Sequence, residues 1–190
     1  MKKILLIVLL MSLTSYAQVG GETSKISFGL YQDISLAITE DDHGNTPFTT
    51  DVRFEFMMGG NYDGTGSLEI GLTFEYADLS VYNLVRYGVQ GGYNFRNYRL
   101  PFNLGYFDNG IYLGAGAIMR NFPTDNDSHL SLELSDEFAI YLTEYLSLNL
   151  KGTLMQRGDL GYAYDDPSGS YRPWDWKPNV YLGIKYNINR

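Results

Sequence analysis

The side chains from which a reactive site could be assembled are few. The chain has two histidines and no cysteine. His43 stands in the stretch TEDDHGN beside Asp41 and Asp42, and PTDND groups Asp125 with Asp127. Carboxylate clusters of this kind offer the hard oxygen ligands of a calcium site. Neither has EF-hand spacing, however, and solvated loop charge is the reading adopted. His129 opens HLSLE, in which His129, Ser131 and Glu133 fall on alternate residues. No glycine-rich phosphate cradle, nucleophile elbow or zinc spacing occurs, so no catalytic residue, metal ligand or cofactor is assigned.

A larger group of charged residues follows a rule. Arg53, Glu55, Glu69, Glu75, Arg86, Arg120, Glu133, Glu137, Lys151, Arg157 and Lys185 all lie on the flank opposite an apolar row. Ile26, Phe28 and Leu30 begin one such row, which alternates with polar residues as far as Ile38. Phe54 and Phe56, then Leu68 to Tyr76, Ile111 to Met119, Leu130 to Leu142, Leu146 to Leu154 and Val180 to Ile188 continue it at period two. That period is the signature of β-strands with one apolar and one polar face. Segments of about 9–14 residues are long for a soluble sandwich and suit tilted membrane strands.

The connectors read as alternating in length. Long polar loops are expected at 39–50, 121–128 and 158–176, and short turns at 63–66 (DGTG), 107–110 (FDNG) and 143–145 (TEY). Between 79 and 107 the apolar phase shifts between Phe95 and Tyr98. One crossing with a bulge or an extension there gives eight strands, an even number; ten is the alternative. The expected fold is all-β, a closed antiparallel up-and-down transmembrane β-barrel. The apolar row would face lipid. The charged set would fill the lumen as ion pairs, because an eight-stranded barrel is just wide enough for side chains to fill.

The first residues, MKKILLIVLLMSLTSYAQ, carry two lysines, an apolar run from Ile4 to Leu13, and small residues at Ser15 and Ala17. The run is about ten residues, against the roughly 20 of a spanning helix. This is the layout of a cleaved secretory signal, with 1–17 removed and 18–190 forming one barrel domain. The whole chain has a formal net charge of −8. Its acidity argues against nucleic acid as a partner. Inward charges nearly cancel, so the excess is expected in loops, at Glu40, Asp41, Asp42, Asp125, Asp127, Asp165 and Asp166.

Signal segment, alternating strands, long loops and short turns together resemble the small eight-stranded outer-membrane barrels of the OmpA/OmpX type in Gram-negative bacteria. The resemblance is architectural and spans nearly the whole mature chain. It implies an outer-membrane location, contact with outer-membrane lipid and lipopolysaccharide, and passage through the barrel-assembly machinery. Tyr181, Gly183, Tyr186 and Ile188 are similar to the closing-strand signal read by that machinery, although Asn189-Arg190 replaces the usual terminal aromatic. His129, Ser131 and Glu133 also resemble the His-x-Ser pair with an acid found on a barrel strand in lipid A deacylases. Leu132 stands where that family has Asn, and alternation turns the three toward the lumen.

The loop GDLGYAYDDPSGSYRPWDWKP concentrates Tyr162, Tyr164, Tyr171, Trp174 and Trp176. Exposed aromatics can anchor protein or sugar contacts, while tryptophans beside a strand also form interfacial belts. The functional expectation is a non-enzymatic, porin-like barrel of the cell envelope with a filled lumen. Its role would be structural, surface-interacting, or that of an accessory to other outer-membrane proteins. A narrow passive pore and a lipid A-modifying enzyme are the alternatives.

Overall fold

A computed structural model describes residues 25–35, 49–61, 66–80, 82–99, 106–121, 126–156 and 176–188. The expected signal segment, Arg157, Tyr162, Tyr164, Tyr171 and Trp174 lie outside the described residues, as do most residues of the two acidic clusters. The elements are β1 (Lys25–Asp33), β2 (Asp51–Asn61), β3 (Gly66–Asp78), β4 (Asn83–Arg99), β5 (Tyr106–Asn121), β6 (Asn126–Tyr141), β7 (Leu146–Gln156) and β8 (Trp176–Asn187). Each pairs antiparallel with its neighbours in sequence, and β8 pairs with β1, so the sheet is a closed barrel of eight strands.

Register fixes the shape. The row Lys25, Gly59, Glu69, Gly92, Tyr112, Ser135, Thr153, Asn179 returns to β1 at the level of Ser35, ten residues beyond its start. Such a stagger requires strands tilted by roughly 35–45° and leaves an interior filled by side chains. Alternation then divides the molecule: Leu130 is 73% exposed and its neighbour Ser131 is 0% exposed.

The phase shift between Phe95 and Tyr98 is a register irregularity within a single strand, β4, and does not mark an extra crossing. Three local expectations need correction. FDNG is not a turn. Asp108, Asn109 and Gly110 lie within β5 and pair with β6, while the β4–β5 connection falls at 100–105. A local turn preference loses here to long-range bonding, because buried Asp108 accepts a hydrogen bond from Tyr141 Oη at 2.7 Å. The segment 121–128 is not a long loop either. Pairing continues to Asn121 against Asn126, leaving 122–125 between the strands, and β3 to β4 is bridged by 79–82. The long connections are therefore 34–50 and 157–175. Finally, β1 closes at Asp33 rather than Ile38. The backbone N–H of Ser35 donates to Asp33 Oδ1 at 2.6 Å, an Asx-type turn that ends the strand.

The TEY reversal has a similar local cause. Thr143 Oγ1 accepts from the N–H groups of Tyr145 (3.2 Å) and Leu146 (3.0 Å), and Leu142 N–H reaches Leu146 O at 2.9 Å.

Candidate functional site: the charged lumen

The inward positions of every strand converge on one axis, and the charged side chains there are buried. Arg53, Glu55, Glu69, Glu75, Arg86, Arg120, Glu133, Glu137, Lys151 and Lys185 are each at most 3% exposed. Lys25 joins them from β1, at 3%. Its signal in the sequence was its phase: it precedes Ile26 on the polar flank of the first strand.

The network has three centres. At mid-barrel the Glu133 carboxylate lies between Arg53 Nη2 and Arg86 Nη1, each at 2.8 Å. Arg53 Nε also meets Glu55 Oε1 at 2.7 Å. Lys151 Nζ reaches the same Glu55 oxygen at 2.5 Å and Glu137 Oε2 at 3.7 Å, linking β2, β6 and β7 across the lumen. Gln90 Oε1 accepts from both Arg53 (3.1 Å) and Lys151 (3.3 Å).

Nearer the end that carries Thr143, Glu137 pairs with Lys185 and accepts from Tyr31 Oη at 3.0 Å and Asn149 Nδ2 at 2.7 Å. Glu69 is the third centre. It binds Lys25 at 3.1 Å, Ser67 Oγ at 2.9 Å and Tyr112 Oη at 2.9 Å. Glu55, Glu69, Glu133 and Glu137 thus each have a cation from another strand. Burying charge is tolerable only under that condition. Glu75 faces Arg53 on β2 and Arg86 on β4 in the register.

Three tyrosines line the ionic groups. The Lys151 ammonium lies 5.7 Å from the Tyr31 ring centroid and 5.2 Å from that of Tyr112, and the Arg53 guanidinium lies 5.6 Å from Tyr181. Aromatic faces stabilise desolvated cations at such separations. Glycines make room for the rings. A methyl group at Gly183 would collide with Leu30 O and the Tyr31 ring, and one at Gly110 would stand 2.5 Å from Tyr112 Oη.

The interior changes character toward the long connections. Ala77, Tyr82, Leu84, Ile118 and Met155 form a buried apolar cluster, with Leu79 packed against it. Sequence reasoning assigned the inward flank to polar groups and missed this cap. Its signal was available, because Leu84, Ile118 and Met155 fall out of phase with the apolar rows of their own strands. Arg120 borders the cap, 5.5 Å from the Tyr82 ring and 3.2 Å from His129 Nε2.

Ser131 is buried beside this region. Its Oγ accepts from Arg86 Nε at 2.8 Å and donates to Gly116 O at 3.4 Å. The hydroxyl is therefore engaged by a cation and a carbonyl, and its nearby acid, Glu133, is bound to two arginines. A general base would need access to that proton. On the closing strand, Tyr181 and Gly183 are buried and Tyr186 is exposed on the outer wall; Ile188, just past its end, is exposed too. Trp176 opens β8 and is 40% exposed.

No family model matches the chain, and no curated protein matches it. Solved structures do. Ail, the attachment invasion locus protein of Yersinia pestis, is similar over 87% of this chain and 97% of its own, at 14% identity and a TM-score of 0.49. The N-terminal β-barrel domain of Pseudomonas aeruginosa OprF matches over 87% and 96%, at 11% identity and 0.48. Neisserial surface protein A matches over 87% and 95%, at 7% identity and 0.47. The chain's own strand pairing makes it a closed, eight-stranded, antiparallel up-and-down β-barrel.

Proposed function

We propose that this protein is a non-enzymatic outer-membrane barrel whose lumen is a structural strut rather than a conduit. One observation carries the reading: the polarity of the fold is inverted. The interior holds the ion pairs, and the exterior presents Leu30, Phe54, Ile70, Leu113, Leu132 and Leu150 at 40–68% exposure. In water such a surface would aggregate. In lipid it is the required arrangement, and a closed barrel leaves no unpaired strand edge.

Export through a cleaved signal at 1–17 and assembly guided by Tyr181, Gly183, Tyr186 and Ile188 belong to this reading. So do contact with outer-membrane lipid and lipopolysaccharide and a Gram-negative source. The two long connections then lie on one side of the membrane. The aromatic residues of 158–176 are assigned to surface interaction, with other envelope proteins among the partners. Against a pore stand the filled lumen and its apolar cap. Against lipid A modification stand the inward position of Ser131 and its bond from Arg86.

The test is made on the full chain expressed with its leader. The expected result is a band in the outer-membrane fraction whose gel mobility changes on boiling, no steps in planar-bilayer conductance, and unchanged lipid A mass spectra. A freely soluble product would contradict the barrel reading, conductance steps would replace the strut with a pore, and deacylated lipid A lost in Ser131→Ala would restore the enzyme.

A further inference from the structure

The outer wall has one charged exception. Among the side chains described, Asp136 is the only carboxylate, and no Lys, Arg or His joins it, at an outward position within a strand; Asp78 is outward too, but is the last residue of β3. Asp136 is exposed, and its outward neighbours along β6 are Leu134 and Phe138. It lies five residues from the end of β6 at Tyr141. At the tilt of such a barrel this is roughly 12 Å along the axis, near the middle of an apolar band about 25 Å tall.

Among the described residues its hydrogen-bond partner is Asn109 Nδ2, at 2.7 Å, and no cation pairs with it. The amide engages Oδ1 and leaves Oδ2 without a donor from these residues. Across the register on β7 stands Gly152, where an added methyl would meet nothing within 4 Å. A carboxylate in the apolar band, half satisfied and beside an open notch, is a poor surface to present to acyl chains. Charged groups at membrane depth are retained where something pairs with them.

Resting on the reading of the chain as a membrane barrel, we propose that the β5–β7 wall around Asp136 docks a second membrane-spanning protein. That partner places a basic side chain against the Asp136 carboxylate, over the Gly152 notch. Charge complementarity selects the partner. A second copy of this chain would bring another carboxylate to the contact, whereas a lysine or arginine neutralises it and fills the notch.

The test is photo-crosslinking in whole cells from a reactive residue at Leu134, beside Asp136, and from a control at Ile70 on β3. The expected result is a protein adduct from Leu134 and none from Ile70, lost in Asp136→Leu and in Asp136→Lys. Mass spectrometry should find a basic residue in the captured peptide, and changing that residue to Glu should restore the adduct to Asp136→Lys. Asp136→Leu should keep its heat-dependent gel mobility, which separates lost docking from lost folding. An adduct made of two copies of this chain, an adduct with lipid alone, no adduct, or one indifferent to Asp136→Leu overturns the proposal. If the parent chain is absent from the outer-membrane fraction, the barrel reading falls with it; if the folded barrel is there without the adduct, the docking surface alone falls.

Discussion

The two halves of the lumen fill the same space in opposite ways. Around Lys151 the interior is ionic, with Glu55, Glu133 and Glu137 shared among Arg53, Arg86, Lys151 and Lys185. Toward the long connections it is an apolar cap of Leu84, Ile118, Met155, Ala77 and Tyr82. The ionic half gains little net stability over an equally well packed apolar one, because desolvation offsets much of its attraction. It is, however, intolerant of losing a single partner. The apolar half depends on volume, and its losses scale with the cavity left behind.

The comparison breaks most sharply at Lys151. Lys151→Met should cost about 3–5 kcal/mol, because Glu55 loses its 2.5 Å partner while staying buried. Urea unfolding in phospholipid vesicles measures this. Adding Glu55→Gln should recover part of the loss, whereas Ile118→Ala, in the separate cap, should add independently. Alone, Ile118→Ala should cost about 3 kcal/mol, the middle of the range for truncating a buried aliphatic residue. A cap that costs as little to truncate as an exposed residue would show that the two halves do not differ in packing.

Smaller changes sharpen the ionic side. Tyr31→Phe removes the hydroxyl that donates to Glu137 but leaves the ring over Gly183, so a loss of about 2 kcal/mol is expected. Ser131→Ala removes the acceptor for Arg86 Nε, at about 1.5 kcal/mol, and should leave lipid A unaltered. A large effect of Ser131→Ala on lipid A, with little on stability, would move Ser131 from the strut to a reaction.

What the sequence made legible was what depends on period two. The outward apolar rows follow from alternation, because a one-residue slip would turn every buried charge into lipid, whereas strand number and the single crossing of β4 also needed the even number of strands that such barrels have. Two features were less legible for physical reasons. FDNG carries local turn chemistry, but Asp108 is held in β5 by Tyr141, a residue remote in sequence, and Asp108, Asn109 and Gly110 pair with β6. The loop lengths were misjudged because strand pairing runs past the apolar residues into polar ones, as at Asn121 and Asn126. Asp136 falls on the apolar phase of its strand, so the exception is visible in the residues once the register is known.

The central claim is that acyl chains cover one flank of each strand while charges meet on the other. The absence of cysteine permits a clean test: single cysteines placed one at a time from Leu68 to Tyr76, labelled with a nitroxide, in the barrel reconstituted in phospholipid. Collision with dissolved oxygen and with a water-soluble nickel chelate is then read for each site. The account predicts an oscillation of period two, with Leu68, Ile70, Leu72, Phe74 and Tyr76 open to oxygen and closed to nickel, and Glu69, Gly71, Thr73 and Glu75 closed to both. Nickel reaching the even-numbered sites as readily as oxygen, or no alternation along the strand, would contradict it.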